Sequence, residues 1–222
     1  MMVVALALAG SGVWWWQEKE PPPVELPGSA CWSVLDRADL AAFGGRAHGR
    51  FDVSYPREGS HERLQPSESD QECLVGQAVV GLLSVYMRPL GELGYRSDFA
   101  PGSTLGQVVP VERLDFGADV RGFVNWNGSV RLAFRCENAV YAALGRPFLE
   151  IGTGTDDRAT DPESPQARQA LIDIALKLAK AAALSYPCSN PVRFPAKAPT
   201  APTVWPPREI RSEAPSGTAG GQ

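Results

Sequence analysis

Four cysteines and two histidines are the side chains of this 222-residue chain with the most pointed chemistry. Cys31, Cys73, Cys136 and Cys188 stand far apart, none in a Cys-x-x-Cys pair and none near a usefully spaced histidine. That spacing argues against zinc, whose structural sites draw their ligands in close pairs. An even number of widely spaced cysteines reads instead as two disulfides made in an oxidising compartment. Three pairings are open. The favoured one joins Cys31 to Cys73 and Cys136 to Cys188, because each bridge then closes a sequence-local half. In the loop-entropy account each contributes on the order of 3 to 4 kcal/mol. The competing reading is four buried free thiols in a cytosolic domain.

His48 and His61 both lie in a polar stretch and neither adjoins a nucleophile motif. A Gly-x-Ser-x-Gly elbow, His-Glu-x-x-His, a phosphate-cradling glycine loop and a Rossmann glycine pattern are all absent from the sequence. No catalytic residue and no cofactor is therefore assigned, and the histidines read as solvated loop residues. Gly152-Thr-Gly-Thr-Asp-Asp157, continuing to Asp161 and Glu163, gathers carboxylates of the kind that bind calcium, but the spacing departs from the Asp-x-Asp-x-Asp-Gly loop. A solvated connection whose acids favour the next helix N-terminus explains it better, so no metal is expected. Trp32, beside Cys31, reads as core or disulfide packing, while Trp126 and Trp205 are placed where exposed rings make contacts. Asn127-Gly-Ser129 fits a glycosylation sequon, and a tight turn accounts for Asn127 equally. A net charge of -4 without a basic cluster argues against nucleic acid as a partner.

The segment that must deliver these cysteines is Met1 to Trp16, apolar throughout and uncharged, followed at once by charged residues. As a helix it is about 24 Å long, a little short of the ~30 Å hydrocarbon layer. Trp14, Trp15 and Trp16 suit the headgroup zone, where an indole is half buried and its N–H stays wet. The segment reads as a membrane anchor, single pass with the remainder outside the cytoplasm, or alternatively as a secretory leader that is cleaved. Neither type usually lacks basic residues at its start, so a basic stretch upstream of Met1 is expected. Residues 17–29 (QEKEPPPVELPGS) read as a proline-rich linker of about 3.1 Å per residue. Residues 30–194 form the globular domain, and residues 195–222, rich in Pro, Ala, Thr, Ser and Gly, read as a disordered tail.

Within the domain, Asp36 caps a short helix over Arg37 to Phe43, with Gly44-Gly45 as a left-handed stop and Leu40 and Phe43 on one face. Phe51 to Tyr55 alternates as an exposed strand would. Cys73 to Met87 is a core strand, or two strands meeting near Gly76 or Gly81. In the Asn127-Gly128 hairpin a two-residue turn would mix apolar with charged positions. A three-residue loop with Gly128 left-handed opposes Val124 to Val130, Gly122 to Leu132, Val120 to Phe134 and Ala118 to Cys136. One apolar face results, Arg121, Phe123, Arg131 and Arg135 take the other, and Cys136 points inward. The last helix spans Pro165 to Ser185, capped by Ser164, with Leu171, Ile174, Ala175, Leu178 and Ala182 at helical spacing. The fold class is α+β: an antiparallel sheet packed against one long C-terminal helix and a shorter N-terminal helix, with two disulfides.

Cys31-Trp-Ser-Val-Leu-Asp-Arg-Ala-Asp-Leu-Ala-Ala-Phe-Gly44, the second cysteine at Cys73, and Ala-Leu-Ile-Asp-Ile-Ala-Leu-Lys-Leu-Ala-Lys180 ahead of Cys188 resemble actinobacterial envelope lipoprotein-like domains of unknown function. The likeness runs from about Ala30 to Cys188. Such relatives are anchored through a lipid-bearing cysteine that this chain lacks, and the tryptophan-ended segment stands in its place. The resemblance brings no catalytic residues. The expected function is a tethered, non-catalytic binding module of the cell envelope whose partner is an envelope protein or a small apolar ligand. The alternative is an envelope hydrolase built from His48 or His61 with Asp or Glu carboxylates.

Overall fold

The computed structural model describes residues 23–57, 62–77, 80–101, 103, 111–125, 128–156, 158–161 and 164–203. Trp14, Trp15, Trp16, His61, Trp126, Asn127, Asp157, Glu163 and Trp205 lie outside the described residues. Among those described, no helix is long and apolar enough to cross a membrane.

Short pieces come first: β1 (Val24–Glu25), β2 (Ser29–Ala30), β3 (Leu35–Asp36) and α1 (Arg37–Leu40), which tightens into a 3-10 helix over Ala41–Arg46. Asp36 is the expected cap. Its Oδ1 accepts from Ala38 N at 2.8 Å and Asp39 N at 3.2 Å, and Asp39 Oδ2 accepts from Asp36 N at 2.8 Å. Gly44 and Gly45 are not the left-handed stop that was expected. They lie inside the 3-10 helix, where three-residue bonds such as Ala47 N to Gly44 O satisfy the terminal carbonyls instead. β1, in the expected linker, pairs in parallel with β4 (Gly49–Arg50), and Val24 and Leu26 pack on the core. Apolar side chains among the prolines thus draw the end of that segment into the fold.

The body is a seven-stranded antiparallel sheet of β5 (Asp52–Ser54), β6 (Gln71–Gln77), β7 (Val80–Leu90), β8 (Val111–Asp115), β9 (Val120–Asn125), β10 (Val130–Arg135) and β11 (Phe148–Gly154). Their order across the sheet is β5-β6-β7-β11-β10-β9-β8. The Cys73–Met87 stretch is resolved as two strands, with a bulge at Val75/Gly76. The β9–β10 hairpin has the expected three-residue register, Val124 opposite Val130, Gly122 opposite Leu132 and Val120 opposite Phe134, with Gly128 at φ +81°. The ladder stops there, and Cys136 N donates to Pro147 O rather than facing Ala118.

Helix α4 (Pro165–Ser185), capped by Ser164, packs on β10 and β11. It buries Leu171, Ile174, Ala175, Leu178 and Ala182 as its periodicity requires. Thr153 Oγ1 donates to Leu171 O at 3.1 Å, and Lys177 Nζ reaches Asp39 Oδ2 at 2.6 Å, fixing α4 to the sheet and to α1. On the opposite sheet face lies a second layer, set by α2 (Glu92–Asp98), whereas α3 (Ala139–Ala143), in the β10–β11 connection, packs Tyr141 into the main core against Tyr186. Of the expected tail, residues 195–203 are described and run as a strap along α4: Gln169 Nε2 donates to Pro199 O at 3.1 Å and Gln169 Oε1 accepts from Ala201 N at 2.8 Å.

Both disulfides form in the favoured pairing, Cys31–Cys73 and Cys136–Cys188, leaving no free cysteine among the described residues. Cys31, Trp32 and Ser33 occupy three successive left-handed positions at φ +42°, +60° and +61°. Each such residue costs roughly 1 to 2 kcal/mol. The turn is held by the Cys31 sulfur link, by Val34 N donating to Cys31 O, and by Trp32 N donating to Tyr55 Oη at 2.9 Å.

Candidate functional site

The described residues with expected chemistry are not brought together. His48 is exposed, and no described carboxylate lies within ion-pair distance of it. Asp156 is occupied by its own loop: Arg158 N and side chain donate to it, and that hydrogen bonding holds its carboxyl well below the usual carboxylate range. Asp161 faces Arg46 at 3.5 Å. Among the described residues no group of three His, Cys, Asp or Glu side chains could hold a metal ion. Trp32 is buried in the core beside its disulfide, as expected.

Two regions carry more. The first is a groove of about 550 Å³ between the end of α4 and the segment after it, lined by Ala183, Leu184, Cys188, Pro191, Val192 and Phe194 together with Lys180 and Asn190. Phe194 anchors one wall by packing edge-on to Phe134 with ring centroids 5.2 Å apart. Leu184, 89% exposed, forms the lip. A larger hollow of about 630 Å³ beside β1 and β4 has Glu25, Arg37, Arg50 and Asp52 on its walls and is the less apolar of the two.

The second region is the sheet face away from α4. In β11 the side chain of Glu150 alternates with Leu149 and Ile151, so it points from the α4 side to the opposite face, yet it is fully buried. Its Oε1 accepts from Tyr86 Oη at 2.8 Å and Arg131 Nε at 2.6 Å, and its Oε2 accepts from Arg88 Nε at 2.8 Å. Arg131 Nη2 also donates to Asp98 Oδ2 at 2.8 Å on α2. Its guanidinium sits beside the touching pair of Phe99 and Phe123, 5.4 and 5.2 Å from the ring centroids. Arg113 also lies against Phe123, 5.5 Å from its ring centroid, donating to the carbonyls of Asp98 and Phe99 and to Ser103 Oγ. Tyr95 stacks on Phe148 with centroids 3.9 Å apart.

Gly152 makes this packing possible. A Cβ there would fall 2.1 Å from Cε1 of Tyr86, so only glycine lets that ring cross β11 toward Glu150. Burial, with the neighbouring Glu150 carboxylate, pushes the Tyr86 hydroxyl well above its ordinary range. For Arg88 and Arg131, burial opposes the charge and Glu150 outweighs it, so both are raised. Arg113, whose partners are mainly neutral oxygens, is lowered by burial. The network therefore holds charged guanidiniums and a protonated tyrosine, an arrangement suited to binding and orientation rather than to proton transfer near neutrality.

Sequence reasoning placed Arg121, Phe123, Arg131 and Arg135 on this face but missed Glu150, Tyr86, Arg88 and α2. One signal was present: in Phe-Leu-Glu-Ile-Gly-Thr (148–153) a single acid interrupts an apolar strand, as a buried, paired carboxylate does. Compared with known proteins, the chain matches no family model, no curated protein and no solved structure.

Proposed function

We propose that the chain is a membrane-tethered, extracytoplasmic binding module of the cell envelope, which takes a small apolar ligand in the groove at the end of α4. The observation that carries this reading is the groove: about 550 Å³ lined by an exposed Leu184 with Ala183, Pro191, Val192 and Phe194, and with Lys180 and Asn190 as its polar side chains. Concave apolar surface with a few polar edges is the usual form of a ligand site. Two disulfides suit an oxidising compartment, and the Cys136–Cys188 bridge fixes the groove's base. The tether is the apolar segment ending in Trp14, Trp15 and Trp16.

Full-length protein, taken from cells without reductant and titrated with a fluorescent medium-chain acyl probe, tests both parts. Saturable binding is expected, weakened about tenfold or more by Leu184→Asp or Val192→Asp, as loss of one buried aliphatic contact implies. Absent binding, or equal affinity in both variants, overturns the groove. Four alkylatable thiols in that preparation overturn the compartment.

A further inference from the structure

We infer that the sheet face opposite α4 carries a second binding site, for an oxyanion, with the guanidinium of Arg88 as its receptor. Arg88 is anchored through Nε alone, to Glu150 Oε2, and among the described residues no polar group takes its two Nη atoms. Its side chain remains 36% exposed. Glu150 meets it through Oε2 only, since Oε1 of the same fully buried carboxylate accepts from Tyr86 and Arg131. Around it Arg88 and Arg131 share the single carboxylate of Glu150, Asp98 takes the other side of Arg131, and at the neighbouring strand the carboxylates of Asp70 and Glu72 pair with Arg57.

The geometry of the Arg88 fork is specific. With Nε committed, the Nη1–Nη2 edge of Arg88 is the edge left for a bidentate contact, which matches the two oxygens of a carboxylate or of a phosphate group. Its orientation is set in advance by the Glu150 bond and by Tyr86, whose ring centroid is 5.6 Å from the guanidinium carbon. Little side-chain entropy is then lost on binding. Partial burial strengthens the attraction relative to a surface arginine. Glu150 and Tyr86 act as positioning residues, holding the fork without touching the anion.

The test uses the full oxidised chain, with inorganic phosphate and acetate as separate probes at constant ionic strength, read from the Nε–Hε resonances of the arginines. The expected result is a saturable shift centred on Arg88 with at least one probe; the stronger probe tells phosphate from carboxylate. Arg88→Gln, which leaves Glu150 its Tyr86 and Arg131 partners, is expected to weaken binding at least tenfold with an unchanged backbone spectrum. Arg88→Lys keeps the charge and loses the fork, and is expected to bind several-fold more weakly than the native chain. A linear, unsaturating shift overturns the site, as does equal affinity in Arg88→Gln. Equal affinity in Arg88→Lys overturns the bidentate geometry, whether or not the glutamine variant folds. The acyl groove lies on the other side of the sheet, so either site can fail without the other.

Discussion

Gly152 shows how far a missing methyl reaches. Because the ring of Tyr86 occupies the space a Cβ would need, Gly152→Ala must displace Tyr86 and so disturb the hydroxyl that Glu150 accepts. The expected cost is about 1 to 3 kcal/mol, the range for overpacking a close-packed site, with the urea midpoint lowered and the slope unchanged. At this scale the sequence was uneven in what it disclosed. The inward cysteine at 136, the cap at Asp36 and the left-handed Gly128 each follow from local rules and each is present. Glu150, Tyr86 and Arg88 come from two strands distant in sequence, and nothing in either strand states that they are neighbours. The left-handed run at Cys31 to Ser33 was equally silent, because none of its residues is glycine and long-range bonds hold it.

Among the elements, α4 was legible to the residue and the β9–β10 hairpin in all but its last expected pair, because strict periodicity, of 3.6 in the one and 2 in the other, marks which face is buried. The strap was not. Its composition satisfies the criteria for a tail, yet Ala198 and Ala201 pack against the core and the Gln169 amide bonds the backbone on both sides of Thr200. Gln169→Ala is expected to free that end at a cost of about 1 kcal/mol per lost bond at most. Hydrogen exchange at the Ala201 amide should rise several-fold while amides in β10 and β11 keep their protection; unchanged exchange at Ala201 would show that packing alone retains the strap. The second sheet layer escaped sequence reading for a different reason. The arginines on that face look solvated until α2 brings Asp98 and two aromatic rings over them.

For the molecule as a whole, three tyrosines tie stability to alkaline pH. Burial raises the hydroxyls of Tyr86, Tyr141 and Tyr186 above the ordinary value near 10, that of Tyr186 up to about 12. A proton retained in the folded state and released in the unfolded one makes stability constant below pH ~10 and falling above it, by up to about 1.4 kcal/mol per pH unit for each tyrosine. Equilibrium unfolding between pH 9 and roughly 11.5 should show that decline, with about a third of the slope removed in Tyr86→Phe. A flat profile would mean that the phenols ionise in place. The sulfur links have a mechanical consequence of their own. Tension applied between the described ends of the chain enters at residue 23, crosses Cys31 to Cys73, traverses β6 to β10, and leaves through Cys136 and Cys188 toward residue 203. The loops of sequence separation 42 and 52 stay slack, and the second contains β11 and α4. A stretched, oxidised molecule can therefore surrender only the strands in the loaded path, while the covalently shielded loops withhold roughly 300 Å of contour until a reductant cuts them loose.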